Sequence, residues 1–407
     1  MQSKMALEGI RVVDLTQYGA GPMCAEILSQ WGADVIKIEH PLRGDSIRGL
    51  QAGQGVTMRK EGLYNYMVEH VNMNKKSVTL DLSQKEGKEV LYKLVEKADV
   101  FLAAMRTREV VKFQIEYETL KKINPRMVYA LLTGYGTKGE AKDEPGFDAV
   151  AFFDRSGISF MNADKQGNPP WPRPGFGDIP SGMYLAGGIM LALFVRERTG
   201  VGQAVYASLF RNGFWSLAAD TMGVLATHEC PNRRFRETAD NPVANYYKTK
   251  DNRFLLVYHM QADLYWDRVC QALGLDYLIN NPKYDTATKR AAHCVELVKI
   301  FDDAFALKTL QEWKARLANF NLVYSPVQTP LEAYYDPQAK ANNHVVTFEH
   351  PIWGAIELCP APLDFTATPG SYRSPAPQLG QHTEETLLEL GYTWDDITKL
   401  KERNVIA

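Results

Sequence analysis

The N-terminal half of the chain alternates short apolar segments with helical segments, and this rhythm restricts the fold more than any other feature. The predicted strands are Arg11–Leu15, Val35–Glu39, Val100–Ala104 and Val128–Leu132. Between the first two, Pro22 suits the first position of a helix that runs to about Trp31. Strand, helix and strand in succession predict parallel strands joined by right-handed crossovers. We therefore predict an α/β fold on an open parallel sheet.

The length and a change in composition predict a second domain. A chain of 407 residues is longer than one ordinary domain core. The sequence becomes polar around Cys230–Arg236, and strand signals of an alternating kind follow at Tyr246–Tyr258. We predict a large domain over residues 1–225, a smaller α+β domain over residues 226–325, and a return segment over residues 326–407 that completes the large domain.

Asp178 is the residue that most directly suggests chemistry. It lies between glycine-rich turns in Arg173–Met183, directly before an apolar helix that runs to about Arg198. Glycines allow a ligand to approach the backbone closely, and a helix start offers unpaired N–H groups to an anion. An aspartate before a helix is also a common N-cap. On these residues alone, Asp178 is either a helix cap or a site carboxylate.

Composition excludes several function classes. The net charge of −2 gives no reason to expect nucleic acid or an anionic membrane as a partner. No stretch approaches 18 uninterrupted apolar residues, and the N-terminus lacks a signal-peptide core. The five cysteines form no CxxC pair and the eight histidines no HExxH motif, so no metal site is predicted. We predict a cytoplasmic protein.

One motif imitates a dinucleotide-binding fingerprint. Gly19-Ala20-Gly21 follows the first strand, and Glu39 ends the second strand where an acidic residue would bind ribose hydroxyls. The third glycine of the fingerprint is replaced by Cys24. This replacement weakens the prediction of an NAD-dependent dehydrogenase, which remains an alternative.

Several segments in the same order carry a family resemblance. They are Leu7–Leu15, Ala20–Pro22, Trp31–Glu39, Asn74–Ser77, Leu132–Gly136, Thr199–Gln203 and Leu379–Glu384. Together they resemble the class III CoA-transferases of the formyl-CoA transferase type. Glu144–Asp148 and Asn241–Pro242 are similar to a narrower group that acts on (R)-2-hydroxy acids such as phenyllactate and 2-hydroxyisocaproate.

The resemblance implies an architecture and a reaction. It implies a large Rossmann-like domain with a smaller inserted α+β domain, in an interlocked homodimer. It places the nucleophile of the family on Asp178, which would carry CoA from an acyl-CoA, such as a 2-enoyl-CoA, to an (R)-2-hydroxy acid through aspartyl-anhydride and aspartyl-CoA thioester intermediates. CoA is then a substrate, no cofactor is bound permanently, and a 2-hydroxyacyl-CoA dehydratase is an expected downstream partner.

The resemblance also assigns CoA-binding residues. They are Gly19, His40, Arg43, Lys75, Met105, Lys112 and Tyr135. Lys75 and Lys112 fall where the family has basic residues toward the nucleotide end of CoA, and Tyr135 falls where a tyrosine lines the cofactor. His40 occupies a common arginine position, for which Arg43 can compensate. Each lysine has an alternative interpretation as a surface residue.

Other functions remain open. An α-methylacyl-CoA racemase needs a histidine–aspartate pair, and the histidine would fall at Phe147, which cannot accept a proton. A CoA-transferase for carnitine-type or bile acids and a non-catalytic acyl-CoA-binding protein are further alternatives. An aromatic wall of the acyl pocket is predicted, with core packing as the alternative role, from Phe152, Phe153, Phe160 and Trp171.

Overall fold

The computed structural model of the chain describes residues 5–53, 56–59 and 64–407. The chain divides into two compact units. The first unit comprises Met1–Ala163, Pro169–Cys230 and Asn343–Ala407, and the second comprises Asp164–Asn168 and Pro231–Asn342. The boundaries along the chain fall at 230/231 and 342/343, where the sequence pattern predicts 225/226 and 325/326.

The secondary structure of the described residues is as follows. The strands are β1 (Arg11–Leu15), β2 (Asp34–Glu39), β3 (Ala52–Gly53), β4 (Val56–Thr57), β5 (Lys75–Thr79), β6 (Val100–Ala104), β7 (Val128–Thr133), β8 (Ala204–Ser208), β9 (Ala244–Lys248), β10 (Phe254–Tyr258), β11 (Tyr324–Pro326), β12 (Val346–His350) and β13 (Gly354–Leu358). The α-helices are α1 (Ala20–Gln30), α2 (Tyr66–Asn72), α3 (Lys85–Glu96), α4 (Thr107–Phe113), α5 (Tyr117–Ile123), α6 (Ile158–Met161), α7 (Asp178–Thr199), α8 (Leu209–Ser216), α9 (Ala218–Thr227), α10 (Ala262–Leu273), α11 (Ala287–Ala292), α12 (Cys294–Phe305), α13 (Leu310–Leu317), α14 (Pro330–Tyr335), α15 (Pro337–Ala341), α16 (Thr383–Glu389) and α17 (Trp394–Glu402). A π-helical segment spans Asp148–Asp154.

The first unit is built on a six-stranded sheet whose strands are all parallel. Their order is β5-β2-β1-β6-β7-β8. The order reverses direction between β1 and β6, which is the switch point where ligands bind in open α/β sheets. The sequence pattern predicts the α/β class and five of these strands, including β8, which it places at Ala204–Leu209. It does not predict β5, because Lys75-Lys76-Ser77 lacks the apolar run of a buried strand.

Both faces of this sheet are covered, which is why its strands are apolar along their length. Neighbouring residues point to opposite faces. Val12 contributes to the core that contains α1 and α7, while Val13 contributes to the core that contains α3 and the C-terminal helices α16 and α17. The C-terminal segment ends on this second face, where Val405 and Ile406 are buried.

Helices α1 and α7 approach each other at backbone distance. A Cβ added at Gly182 of α7 would lie 2.8 Å from the carbonyl oxygen of Ala20 and 3.0 Å from the amide nitrogen of Cys24. Helix α1 begins at Ala20, two residues before the predicted start at Pro22, because the carbonyl of Gly19 accepts the first helical hydrogen bond from Met23. The starts of both helices therefore lie together.

Helix α7 is long and apolar enough to cross a membrane by length and composition alone. Its most apolar 18-residue window is 39% buried inside the structure. The buried side chains, among them Leu185, Ala186 and Ile189, belong to the same core as α1. These contacts are those of a core helix.

The second unit has its own core. Strands β9, β10 and β11 form an antiparallel sheet, and α10, α12 and α13 cover it with buried aromatic side chains that include Trp266, Phe301 and Trp313. The unit extends to Asn342 because Arg253 pairs with Glu332 of α14, with Nη1 and Oε1 2.8 Å apart. This ion pair ties α14 to the strand pair β9–β10.

Replacing Gly182 tests the α1–α7 contact. Gly182→Ala should lower the free energy of unfolding by roughly 1–3 kcal/mol, because the added methyl group overpacks the helix interface. The matched control is Gly187→Ala on the same helix, where an added Cβ meets no atom within 4 Å. That control should be neutral or stabilising by up to about 1 kcal/mol. Urea denaturation measures both variants, and equal effects at the two positions would contradict the packing described.

Candidate active site

A cavity of about 610 Å³ opens at the carboxyl ends of the parallel strands. Its volume is in the range of small-molecule sites. The lining comes from the segments that follow successive strands, namely Leu15–Gly21 after β1, Ile38–His40 and Arg43–Ser46 after β2, Leu80–Ser83 after β5, Ala104–Arg106 after β6 and Leu132–Gly134 after β7, together with Asp178. The cavity therefore occupies the switch point of the sheet.

Asp178 lies on this cavity as the first residue of α7. Its carboxylate contacts Gly19, where an added Cβ would lie 2.4 Å from Oδ2. Any side chain at position 19 would displace the carboxylate, so the sequence needs glycine there for space. Within the described residues, no hydrogen bond to the Asp178 side chain is formed, and no side chain caps α7. The helix-cap interpretation of Asp178 is therefore wrong.

A second carboxylate stands beside the start of α7. Asp148 is buried at the start of the π-helical segment; its Oδ1 accepts a hydrogen bond from Ala149 N (2.7 Å), and its Oδ2 accepts one from Gly177 N (3.3 Å). Asp148 thus holds the residue that precedes Asp178. The sequence pattern did not single it out, since Gly146-Phe147-Asp148 served only as a subgroup signature.

These surroundings change the protonation of Asp178. Burial, followed by the negative charge of Asp148, raises the pKa of Asp178 from 3.8 to about 7. Burial also raises the pKa of Asp148. A carboxyl group whose pKa lies near neutral pH in a cavity is a marker of a functional site.

A buried ion pair fixes the loop between β1 and α1. Lys37 Nζ donates to Asp45 Oδ2 (2.8 Å) and to the carbonyl of Thr16 (2.9 Å), and both charged side chains are fully buried. Asp45 Oδ1 accepts a hydrogen bond from the amide of Tyr18 (3.0 Å). Tyr18 has a φ of 66°, a backbone conformation that is unfavourable for a bulky residue. The ion pair thus holds Tyr18 and the adjoining Gly19 in place.

Lys75 does not bind in the cavity, which corrects its assignment to CoA. Its ammonium group is fully buried and donates to Asp14 Oδ2 and to the carbonyl of Pro22, both at 2.9 Å. Asp14 also accepts from Thr16 Oγ1. Lys75 therefore supports β1 and the start of α1, because its side chain reaches past β2 to Asp14 and to the carbonyl of Pro22.

Glu39 has no free oxygen for a ribose. Arg48 donates to both of its carboxylate oxygens at 2.7 Å, and Ser77 Oγ donates to Oε2 at 2.7 Å. Burial favours a higher pKa for Glu39, but these hydrogen bonds and the charge of Lys37 outweigh it and lower the pKa to about 2. This structural role removes the acidic residue on which the NAD-binding alternative depended.

The other predicted CoA-binding residues separate into two groups. Those that line the cavity are Gly19, His40, Arg43, Met105 and Lys112. Tyr135 does not line it: its ring packs beside Gly146, and the guanidinium group of Arg155 stacks on it at 4.6 Å. The lining also includes Arg106 and Glu109, an ion pair that the sequence pattern did not single out.

The predicted aromatic wall is not at the cavity. None of its four residues lines the cavity. Phe152 is buried beneath Gly177, where an added Cβ would lie 2.7 Å from its Cγ, so core packing is its role. The aromatic residues that do line the cavity are Tyr18, Phe113 and Phe147.

The described residues contain no cluster of three or more His, Cys, Asp or Glu side chains suited to a metal ion.

Comparison with known proteins gives the geometry a context. The profile of CoA-transferase family III matches residues 7–383. The (R)-2-hydroxy-4-methylpentanoate CoA-transferase of Clostridioides difficile is 34% identical over 99% of this chain and 100% of its own length. The cinnamoyl-CoA:phenyllactate CoA-transferase of Clostridium sporogenes is 33% identical over 98% of this chain and 97% of its own length. A crystal structure of a CAIB/BAIF family protein from Brucella suis superposes with a TM-score of 0.82 at 26% identity, covering 95% of this chain and 100% of that chain.

The raised pKa of Asp178 predicts a pH-dependent cost to stability. Between the ordinary pKa of 3.8 and the folded value of about 7, the folded chain holds a proton that the unfolded chain has lost. Stability contributed by this group therefore falls as pH rises through that window. Asp178→Asn removes the titration, so its unfolding free energy relative to the wild type should rise from pH 4 to pH 8.

Guanidinium denaturation at several pH values measures this difference. Asp148→Asn serves as the companion variant: it removes one charge that raises the pKa of Asp178, so the loss of stability with rising pH should end at a lower pH than in the wild type. A difference between Asp178→Asn and the wild type that is constant across pH would contradict the raised pKa.

Proposed function

We propose that this chain, which belongs to CoA-transferase family III, transfers CoA between carboxylic acids through covalent intermediates on Asp178. Family membership makes it an enzyme that transfers CoA. The observation that supports the role of Asp178 is its carboxylate, which lies on the cavity at a helix start with no hydrogen bond from the described residues. Such a group keeps both oxygens available to a substrate.

The proposed reaction begins with the acyl-CoA donor. An oxygen of Asp178 attacks the thioester carbonyl, the carbon–sulfur bond breaks, and CoA departs as a thiolate, which leaves a mixed anhydride between the acyl group and Asp178. The thiolate then attacks the aspartyl carbonyl of the anhydride, which releases the donor acid and leaves aspartyl-CoA thioester. The acceptor carboxylate attacks this thioester and gives a second anhydride and CoA thiolate. Attack of the thiolate on the acceptor carbonyl forms the product and restores Asp178.

The surroundings of Asp178 support this sequence of steps. Each attack on a carbonyl places negative charge on its oxygen. The N–H groups of Ala20 and Gly21, at the start of α1, line the cavity and are the donors we propose for that charge. The start of α7 offers fewer donors, because the amide of Ile179 already donates to Gly175 and Pro180 has no N–H. Gly19 leaves space against the carboxylate for an acyl group. A carboxylate with a raised pKa is also a better nucleophile than an ordinary one, because nucleophilicity rises with basicity.

The cavity has basic side chains suited to the diphosphate of CoA. His40, Arg43 and Lys112 line it and make no ion pair with a described carboxylate. Arginine and lysine bind phosphate oxygens through charge-assisted hydrogen bonds. We assign the nucleotide half of CoA to this group, without Lys75. CoA is a substrate in this scheme, and no other cofactor takes part.

For the substrates, we propose a 2-enoyl-CoA donor and an (R)-2-hydroxy acid with an apolar side chain as acceptor. Support comes from the names of two relatives, which specify 2-hydroxy-4-methylpentanoate and phenyllactate. A 2-hydroxyacyl-CoA product suits a dehydratase as the next enzyme. The racemase alternative lacks a second base, since Phe147 cannot take a proton and Asp148 is occupied by two backbone N–H groups.

We also propose a homodimer. The first unit exposes large apolar side chains along α7, α8 and α9: Leu191, Phe194, Trp215, Met222 and Leu225 are each more than half exposed. Apolar patches of this extent mark protein interfaces. A second copy of the chain is the occupant expected from the resemblance to interlocked transferases.

Trapping the covalent intermediate tests the function. Incubation with acyl-CoA should add CoA to a single peptide, which carries Asp178, and borohydride or hydroxylamine should modify the same peptide by mass spectrometry. Asp178→Ala should lose at least 10³-fold in transfer, the order of effect expected when a covalent nucleophile is removed. Asp148→Asn is the control, because it should still form the adduct. Full transfer by Asp178→Ala would exclude the mechanism.

Light scattering tests the dimer. The wild type should have twice the mass of one chain at micromolar concentration, and Leu191→Glu combined with Phe194→Glu should shift it toward monomer by placing charges in the apolar patch. Trp394→Glu on α17 is the control, since it changes an equally exposed aromatic residue away from that patch. A monomeric wild type would contradict the assembly.

A further inference from the structure

Tyr18 is held in an unfavourable conformation next to the candidate nucleophile. Its φ of 66° is one that bulky residues rarely adopt, whereas glycine adopts it without cost. The amide of Tyr18 is fixed by Asp45, and Asp45 is fixed in turn by Lys37 through a fully buried ion pair. Strained residues that their surroundings hold so firmly concentrate at functional sites.

The ring of Tyr18 forms a pair with Phe147. Their centroids are 5.3 Å apart and their planes are at 89° to each other, which is a favourable edge-to-face geometry. Both residues line the cavity, and Phe147 remains 54% exposed. Each ring adjoins a residue at the nucleophile: Tyr18 precedes Gly19, which contacts Asp178, and Phe147 precedes Asp148, which binds the amide of Gly177. The two rings therefore stand on separate segments that each contact the start of α7.

We propose that Tyr18 and Phe147 form the subsite for the side chain of the transferred acyl group and select acids with aromatic or branched apolar side chains. This inference rests on the proposed function and adds the residues that determine its specificity. An acyl group bound to Asp178 has its carbonyl carbon at the carboxylate, so its side chain begins in the cavity that both rings line. Apolar side chains gain from covering aromatic surface that is otherwise exposed to water.

The conformation of Tyr18 argues that its ring matters for binding. A residue retained only for the shape of the loop would be glycine, which fits a φ of 66° better. Tyr18→Gly should therefore fold with an unchanged or higher melting temperature and still lose selectivity. A purely structural tyrosine would show the opposite pattern.

A competition assay measures the selectivity directly. The wild type and variants receive one acyl-CoA donor with equal concentrations of phenyllactate, 2-hydroxy-4-methylpentanoate and lactate, and mass spectrometry counts the three CoA products. Their ratio equals the ratio of kcat/KM values for the acids and is independent of the donor. The wild type should favour the two larger acids over lactate.

Phe147→Ala and Tyr18→Gly should each reduce that preference on the order of ten-fold, the size of effect that apolar contacts in a pocket produce. Tyr18→Phe keeps the ring and should keep the preference. Phe113→Ala alters an aromatic lining residue of another segment, after β6, and should affect all three acids alike.

The outcomes separate the two levels of inference. Unchanged ratios in both Phe147→Ala and Tyr18→Gly, with Asp178-dependent transfer retained, would overturn the subsite and leave the proposed function intact. Transfer that survives Asp178→Ala, or no transfer by the wild type to any acid, would overturn the proposed function and the subsite with it. If the preference for the larger acids over lactate falls only in Phe113→Ala, the subsite lies at Phe113 and the assignment to Tyr18 and Phe147 is overturned.

Discussion

The contact between Gly19 and Asp178 is the constraint on which the rest of the site depends. It requires two helices from distant parts of the chain, α1 and α7, to begin next to each other. It also requires residue 19, which directly precedes α1, to have no side chain. Both conditions follow from glycine, since Gly182 allows α7 to lie against the backbone of α1 while Gly19 receives the carboxylate. Glycine within a helix is unfavourable by about 1 kcal/mol relative to alanine. The chain accepts that cost where the two helices meet.

Buried ion pairs then hold the loop that carries Gly19. Lys37 and Lys75 lie on the neighbouring strands β2 and β5. Lys37 bonds to Asp45, which follows β2, and to the carbonyl of Thr16. Lys75 bonds to Asp14 of β1 and to the carbonyl of Pro22 in α1. Buried ion pairs add little net stability over apolar side chains of the same size, but loss of one partner costs about 3–5 kcal/mol. Here the ion pairs fix geometry. They hold the carbonyl of Thr16 and the amide of Tyr18, and so determine the positions of Tyr18 and Gly19.

The sequence predicted the strands, which local patterns of apolar residues mark. It did not predict the roles of side chains whose partners are distant in the sequence. Strands β1 and β6 have the predicted bounds, since burial on both faces of the sheet leaves a short, mostly apolar run in the sequence. The assignment of Lys75 to CoA binding was wrong because its partner, Asp14, lies 61 residues away in the sequence. No local pattern distinguishes a buried lysine from a surface one. Asp148 was missed for the same reason: its partner is the amide of Gly177, which carries no side-chain signal. The position of Asp178 was accessible because its glycines stand beside it in the sequence.

The protonation of Asp178 connects these features to chemistry. A carboxylate that accepts two or three hydrogen bonds from the protein is stabilised as an anion, and its pKa falls. Glu39 shows this in the same unit, with Arg48 and Ser77 bonded to it. Asp178 instead stands without such donors beside a second negative charge, and its pKa rises. The carboxylate of the nucleophile loses its negative charge when it forms a bond to an acyl carbon. Hydrogen bonds that stabilise the free anion would be weakened in that step and would raise its barrier. A carboxylate without such bonds therefore reaches the transition state from a higher ground state, with a smaller barrier.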